Sequence, residues 1–106
     1  MHLRDTKLAS RTAPATRART RSGKLRDMAK DLISPCTLYD LVNGNTGIIL
    51  PENGPELPDT FYIEDEGDLS LGLAHVQQRS RPHLEIAYLD PPVPLSVLAK
   101  RAANGL

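Results

Sequence analysis

CTLYDLVNGNTGIIL, residues 36–50, is the stretch that decides the fold, because it holds a strand, a turn and a second strand in direct succession. Side-chain character alternates through residues 36–41, as it does in a half-buried strand. Four residues that tolerate tight turns then crowd into five positions: Asn43, Gly44, Asn45 and Gly47. Residues 46–50 resume as an apolar strand, so the stretch predicts a β-hairpin.

Downstream of this hairpin, three more short apolar runs are separated by turn residues. In residues 60–64, Phe61 and Ile63 alternate with Tyr62 and Glu64. The longest run, residues 69–78, has leucine at every second position near its start, and in residues 84–89 Leu84, Ile86 and Tyr88 share a face. The intervening residues 51–58 contain three prolines and are predicted to be a loop. Regularly spaced short strands of this kind are typical of a small all-β domain.

The two ends of this region show helical spacing. Apolar residues recur every three or four positions in residues 94–103, which predicts a short C-terminal helix. Residues 23–33 also fit one helical face, although the first strand of a barrel is expected at this place. Both alternatives for that segment stay open.

Composition limits the chain to one small domain. Its length of 106 residues excludes a large enzyme. The residues are 40% apolar, include no tryptophan and carry no net charge. A single cysteine, Cys36, excludes an internal disulfide framework and a multi-cysteine zinc site, and it favours a cytoplasmic location. No stretch has the roughly 20 uncharged apolar residues of a membrane helix, so membrane insertion is not expected.

The zero net charge conceals a strong asymmetry along the chain. Residues 1–30 contain nine Lys or Arg against two acids, and residues 31–106 carry the balancing excess of negative charge. Residues 1–22 are therefore predicted to be a disordered basic arm, although their composition also fits an organelle transit peptide. Such an arm can reach for phosphate or fold back on the acidic part of its own chain, and both alternatives stay open.

No group of residues predicts catalysis. Cys36 lies in an expected strand, where a buried and inert thiol is favoured. His75 and His83 lack a third metal ligand at a sensible spacing, and the acidic residues 64–68 are interpreted as a solvated turn rather than an acid–base pair. No glycine-rich loop precedes a helix. The chain is therefore not expected to be an enzyme or to hold a cofactor.

The arginines that precede the barrel region are the strongest binding signal. Arg17, Arg19 and Arg21 alternate along the chain. A guanidinium offers a planar donor fork that matches both phosphate oxygens and the O6/N7 edge of guanine. These arginines therefore suit a guanine nucleotide with two phosphates, and the alternative is an arm that merely improves solubility.

The order of these features resembles the PilZ domain family over about residues 17–90. The matching segments are an R-x-x-x-R motif at residues 17–21, strand segments at residues 36–41 and 47–50, a post-loop strand start at residues 58–61, and two closing strands at residues 75–79 and 84–88. The resemblance implies a six-stranded antiparallel β-barrel that binds the bacterial second messenger cyclic di-GMP. It also implies ligand-binding roles for Arg17, Arg19, Arg21, Asp40 and Gly47.

The second ligand motif of that family, [D/N]-x-[S/T]-x-x-G, is altered in this chain. Asp40 is in place, but Val42 stands where Ser or Thr is expected, and the glycine comes two positions late at Gly47. The missing hydroxyl costs about 1 to 1.5 kcal/mol of binding free energy, or about tenfold in affinity. Thr46 can replace that hydroxyl in part if the extra residues loop out.

These observations predict an arm in residues 1–22, a PilZ-like barrel in residues 23–92 and a helix in residues 93–106. The expected function is that of a non-enzymatic, cytoplasmic signalling module that binds cyclic di-GMP. The alternative is an adaptor that binds a protein partner and no nucleotide, through the apolar face of residues 95–102 and the acidic residues 64–68. Specific nucleic-acid binding is not expected, because the acidic body opposes a polyanion and aromatic residues are few.

Overall fold

A computed structural model describes residues 15–104 of the chain and the side chains of residues 19–103. Seven strands and one helix follow one another along the chain. They are β1 (Ala15–Arg26), β2 (Leu32–Leu41), β3 (Thr46–Ile49), β4 (Thr60–Asp65), β5 (Ser70–Ser80), β6 (His83–Tyr88), β7 (Val93–Pro94) and α1 (Leu95–Asn104).

Six of these strands form a closed antiparallel barrel, in agreement with the predicted fold class. The strands are hydrogen-bonded in the order β1, β2, β3, β6, β5, β4, and β4 pairs again with β1 to complete the ring. The two-residue strand β7 adds to the free side of β5, where it leads into α1. The predicted C-terminal helix is confirmed: it spans Leu95–Asn104, within one residue of the helical spacing in residues 94–103 and inside the predicted segment 93–106.

The boundary between arm and barrel differs from the expected one. Strand β1 already begins at residue 15, so the C-terminal third of the predicted arm, residues 15–22, belongs to the sheet. The predicted arm residues 1–14 lie outside the described part of the chain. Of the two alternatives for residues 23–33, the strand is observed: β1 ends at residue 26, residues 27–31 turn the chain, and β2 follows.

The barrel interior is filled by aliphatic side chains and one phenylalanine. The largest side chains with no appreciable solvent exposure are Leu25, Leu38, Ile48, Phe61, Ile63 and Ile86. They come from five different strands, so closing the ring is what buries them together. Alternation along each strand supplies these inward positions, as the sequence pattern requires.

Strand β5 turns its small residues inward and its leucines outward. Ser70, Gly72 and Ala74 face the interior, whereas the leucines between them are half-buried on the outer side. A β-carbon at Gly72 would lie 2.6 Å from the ring of Tyr88, so a side chain there would collide with it. Tyr88 on β6 therefore fills the space that the small residues of β5 leave open, and burial raises the pKa of its hydroxyl to about 12.

The free thiol of Cys36 is predicted to be unreactive in the folded chain. Cys36 is buried among core side chains, and desolvation, with a smaller contribution from Asp65, raises its pKa to about 12. We expect iodoacetamide at pH 8.5 to alkylate it at least about a hundredfold more slowly in buffer than in concentrated urea. Because the unfolded thiol ionises first, this group also lowers stability as the pH rises from about 9 towards 12. Equal alkylation rates in the two solvents would contradict the burial of Cys36.

Candidate functional site

A cluster of charged side chains occupies one end of the barrel and is called here the mouth cluster. It consists of Arg19 and Arg21 from β1, Asp40 from β2, Asp65 from β4 and Asp68 from the following turn. Arg21 lies opposite Leu38 in the β1–β2 register, so its side chain leaves β1 on the inward face. The cluster therefore lies directly above the apolar core.

Arg21 is the centre of the mouth cluster. Its Nε donates to Oδ2 of Asp65 at 2.9 Å, and its Nη2 lies 2.9 Å from Oδ1 of Asp40. The Arg21 side chain is only 9% exposed and the Asp65 side chain only 4% exposed. Burial alone would lower the pKa of the guanidinium, but the two carboxylates outweigh it and raise that pKa above its ordinary value.

Asp65 also organises the turn between β4 and β5. Its Oδ1 accepts hydrogen bonds from the backbone N–H groups of Gly67 and Asp68, each at 3.0 Å. Since Oδ2 binds Arg21, both oxygens of this buried carboxylate have partners. A β-carbon at Gly67 would lie 2.6 Å from Cβ of Arg21, so the turn passes very close to the arginine stem. Arg21, Asp65 and the turn at residues 66–68 are thus in direct contact with one another.

Arg19 forms the more exposed half of the mouth cluster. One of its terminal nitrogens contacts Asp68 and the other lies 3.7 Å from Oδ2 of Asp40. Its side chain is 44% exposed. Asp40 therefore receives both arginines, one buried and one accessible to solvent. The two cations of the cluster face three carboxylates, which makes it slightly acidic as it stands.

One donor in the mouth cluster has no partner among the described residues. Nη1 of Arg21 is buried and makes no hydrogen bond, although its neighbours Nε and Nη2 both do. Buried donors in folded proteins are nearly always paired. Nη1 of Arg21 is thus an exception to this rule among the described residues.

The structure brings together three of the five predicted ligand residues. The carboxylate of Asp40 contacts the guanidinium groups of both Arg19 and Arg21. Arg17 belongs to β1, but its side chain lies outside the described part of the chain. Gly47 is not part of the mouth cluster and is instead covered by the ring of Tyr39. The sequence match at Gly47 overlooked that a strand glycine can serve to admit a neighbouring side chain.

The structure also shows where Val42 and Thr46 lie in the altered motif between Asp40 and Gly47. Val42 is exposed in the β2–β3 turn. Thr46 is buried directly across from Asp40 in the β2–β3 register, so the two side chains share a face of the sheet. The hydroxyl nearest to Asp40 in the register thus comes from Thr46, as expected if the longer turn loops out.

The basic residues of β1 fold back on the acidic residues 64–68. Besides the mouth cluster, Nζ of Lys24 lies 2.5 Å from Glu66, and Nε of Arg26 lies 2.9 Å from Glu64. Four ion pairs thus line the β1–β4 side of the barrel. The interpretation of residues 64–68 as a merely solvated turn is wrong, because these carboxylates are partners of β1. The opposite charges of residues 1–30 and 31–106 were the signal for this pairing.

A second polar arrangement, which the sequence interpretation missed, lies on the outer surface of β2, β3 and β6. The hydroxyl of Tyr39 lies 3.2 Å from Nδ1 of His83, and the two rings meet edge to face. Oε2 of Glu85 accepts hydrogen bonds from the side-chain amides of Asn43 and Asn45, at 3.0 and 2.6 Å. Tyr39, His83 and Glu85 border an open groove of about 500 Å³, called here the outer groove.

Three further findings concern membrane helices, metal ligands and similarity to known proteins. None of the helices in residues 15–104 is long and apolar enough to span a membrane. Within the same residues, no three His, Cys, Asp or Glu side chains are grouped so as to hold a metal ion. Comparisons with known protein families, with curated proteins and with solved structures find no match to this chain.

Proposed function

We propose that this chain is a non-enzymatic, PilZ-like signalling module that binds cyclic di-GMP at the mouth of its barrel in the bacterial cytoplasm. The observation that supports this most is the position of Asp40, whose carboxylate contacts both Arg19 and Arg21. The resemblance assigns the arginines and Asp40 to one ligand site although they lie about twenty positions apart in sequence. Their contact is what a shared site requires.

The mouth cluster offers suitable chemistry for a ligand with two phosphates. Arg19 is half-exposed, so its guanidinium can exchange Asp68 for a phosphate oxygen without leaving the surface. Arg21 is held by Asp65 and Asp40 and adds its positive charge close to that ligand. Asp40 between the two arginines can accept N–H groups of a guanine base. Ligand binding thus replaces Asp68 by a phosphate as the partner of Arg19.

The test is isothermal titration calorimetry of the purified chain with cyclic di-GMP at moderate salt, with GTP and a random oligonucleotide as controls. We expect saturable binding of the cyclic dinucleotide alone. Arg19→Ala should weaken it about tenfold or more, because it removes a charge-assisted contact. Arg79→Ala is the matched control, since Arg79 is similarly exposed and pairs with Asp59 elsewhere on the surface.

Arg19 and Arg79 are similarly exposed, so the two variants lose the same charge and differ in where it was lost. Equal losses in the two variants would show that only overall charge matters, which contradicts a site at the mouth. No heat from folded wild-type protein would contradict nucleotide binding altogether. Arg21 is unsuited to this test, since its removal would disturb the barrel itself.

A second proposal, an adaptor that binds a protein partner without nucleotide, is favoured by the packing of α1. The helix makes its main contacts with the short strand β7 and leaves Val97, Ala99 and Ala102 exposed, whereas Leu95 and Leu98 are half-buried. Recovery of one stoichiometric partner in the presence and absence of cyclic di-GMP would support this function. Its loss on Val97→Glu, with retention in Val42→Glu as a control at another exposed valine, would place the contact on α1.

A further inference from the structure

The ring of Tyr39 forms the apolar floor of the outer groove. A β-carbon at Gly47 would lie 2.2 to 2.7 Å from ring atoms Cζ, Cε2 and Cε1 of Tyr39. Three ring atoms at such similar distances mean that the ring lies flat across β3, where only a glycine leaves room for it. One face of the ring therefore covers Gly47 and the other faces away from the sheet. The hydroxyl is anchored at the far end by His83.

Glu85 supplies a fixed negative charge beside this ring. Two asparagine side chains, Asn43 and Asn45, donate to the same oxygen, Oε2. Oε1 has no hydrogen-bond partner in the part of the chain that the structure describes. The hydrogen bonds from Asn45 and then Asn43 lower the pKa of Glu85, so it is ionised at neutral pH. The carboxylate is thus oriented in advance, with one oxygen available to a ligand.

We propose that the outer groove binds the guanidinium group of an arginine side chain presented by a partner peptide. A guanidinium is planar, so it can stack on the exposed face of the Tyr39 ring. Its N–H donors can bond Oε1 of Glu85 at the edge of the ring. No Lys or Arg is among the residues that line the groove, and Glu85 is its one carboxylate.

Other ligand classes fit the outer groove less well. An anion would meet the charge of Glu85 with no cation to offset it. A neutral base could stack on Tyr39 but would leave that charge uncompensated. A lysine ammonium would satisfy the charge, although it lacks the plane that stacks on a ring. The proposal is independent of the function proposed for the mouth cluster, since Tyr39 and Asp40 point to opposite faces of β2.

The test uses the full chain and N-acetyl-arginine amide, which presents the side chain as a peptide does. Binding is followed by the chemical-shift changes of backbone amides in residues 39–47 and 83–85. N-acetyl-lysine amide controls for charge without a planar group, and guanosine controls for a planar group without charge. We expect the arginine amide to perturb these amides at concentrations at which the two controls do not.

Three variants and one matched control assign the contacts. Glu85→Gln keeps the side-chain shape and should weaken binding about tenfold, as expected for a charge-assisted contact. Tyr39→Leu should weaken it about threefold through loss of the stack. Gly47→Ala should match Tyr39→Leu, because it displaces the same ring. Glu52→Gln alters an exposed carboxylate in another part of the surface and should leave binding unchanged.

Every outcome of this experiment decides the proposal. Saturable shifts that require both Glu85 and Tyr39 would support it. Absence of shifts, equal shifts with lysine amide, or preferential binding of guanosine would each overturn it. Circular dichroism of the variants confirms folding, which we expect to be retained since Glu85 and Tyr39 lie on the outer surface.

Discussion

Replacing Arg21 with alanine is expected to lower the free energy of unfolding by about 3 to 5 kcal/mol. The change removes the partner of Asp65, a carboxylate with only 4% of its side chain exposed. A buried charge that loses its counter-charge has neither water nor protein to compensate it. Because Asp65 also holds the turn around Gly67, the loss should extend to the β4–β5 connection.

Urea denaturation followed by circular dichroism measures this effect. Arg79→Ala is the matched control, because its partner Asp59 is 77% exposed, and it should cost less than about 1 kcal/mol. Removing both charges in Arg21→Met/Asp65→Asn should recover much of the loss, since no buried charge then remains unpaired and the amide oxygen can still accept from Gly67 and Asp68. If Arg21→Ala costs no more than Arg79→Ala, the description of the mouth cluster as a buried ion pair is wrong.

Leu38→Ala is expected to cost about 2 to 5 kcal/mol, the range for a large core side chain that leaves a cavity. Leu38 has no exposed surface and lies in the middle of β2. Its side chain occupies the space beside Gly23 on β1, where a β-carbon would lie 2.7 Å from Cδ1 of Leu38. The same substitution at Leu32, on the same strand but 54% exposed, removes the same atoms from a solvated position. It should cost less than about 1 kcal/mol.

Urea midpoints of the two leucine variants provide the comparison, with equal denaturant slopes as the sign of a common unfolding transition. A large loss at Leu32 together with a small one at Leu38 would contradict the burial of Leu38 and the exposure of Leu32.

The strands of the barrel were predictable because each carries its own local signal. Alternation in residues 36–41 and in residues 60–64 reports a half-buried strand whatever its partner is. The turn at residues 43–45 and the proline-rich loop end these strands with residues that cannot continue them. Helical spacing after residue 94 is equally local. Closure of the ring, by contrast, was expected only through the resemblance to PilZ domains.

The mouth cluster and the outer groove were harder to predict, because they depend on which residues face each other across strands. Leucines on β5 do not reveal that the interior accepts only Ser70, Gly72 and Ala74 there, since this depends on Tyr88 from another strand. The role of Asp65 depends on the β1–β4 pairing, which joins segments about forty positions apart. The sequence alone groups Gly47 with the turn residues. Its contact with Tyr39 follows from the pairing of β2 with β3, which the sequence does not show.

The β1–β4 pairing has a consequence for how the chain folds. Its four ion pairs join residues 38 to 49 positions apart, the most non-local step in forming the barrel. Until β1 and β4 have paired, both are open edge strands that can pair with a strand from another molecule. The charges at this junction are basic on β1 and acidic on β4 and the turn that follows it. They attract β1 to β4 and repel a second copy of either strand. They therefore oppose edge-to-edge pairing between two copies of the chain before the barrel closes.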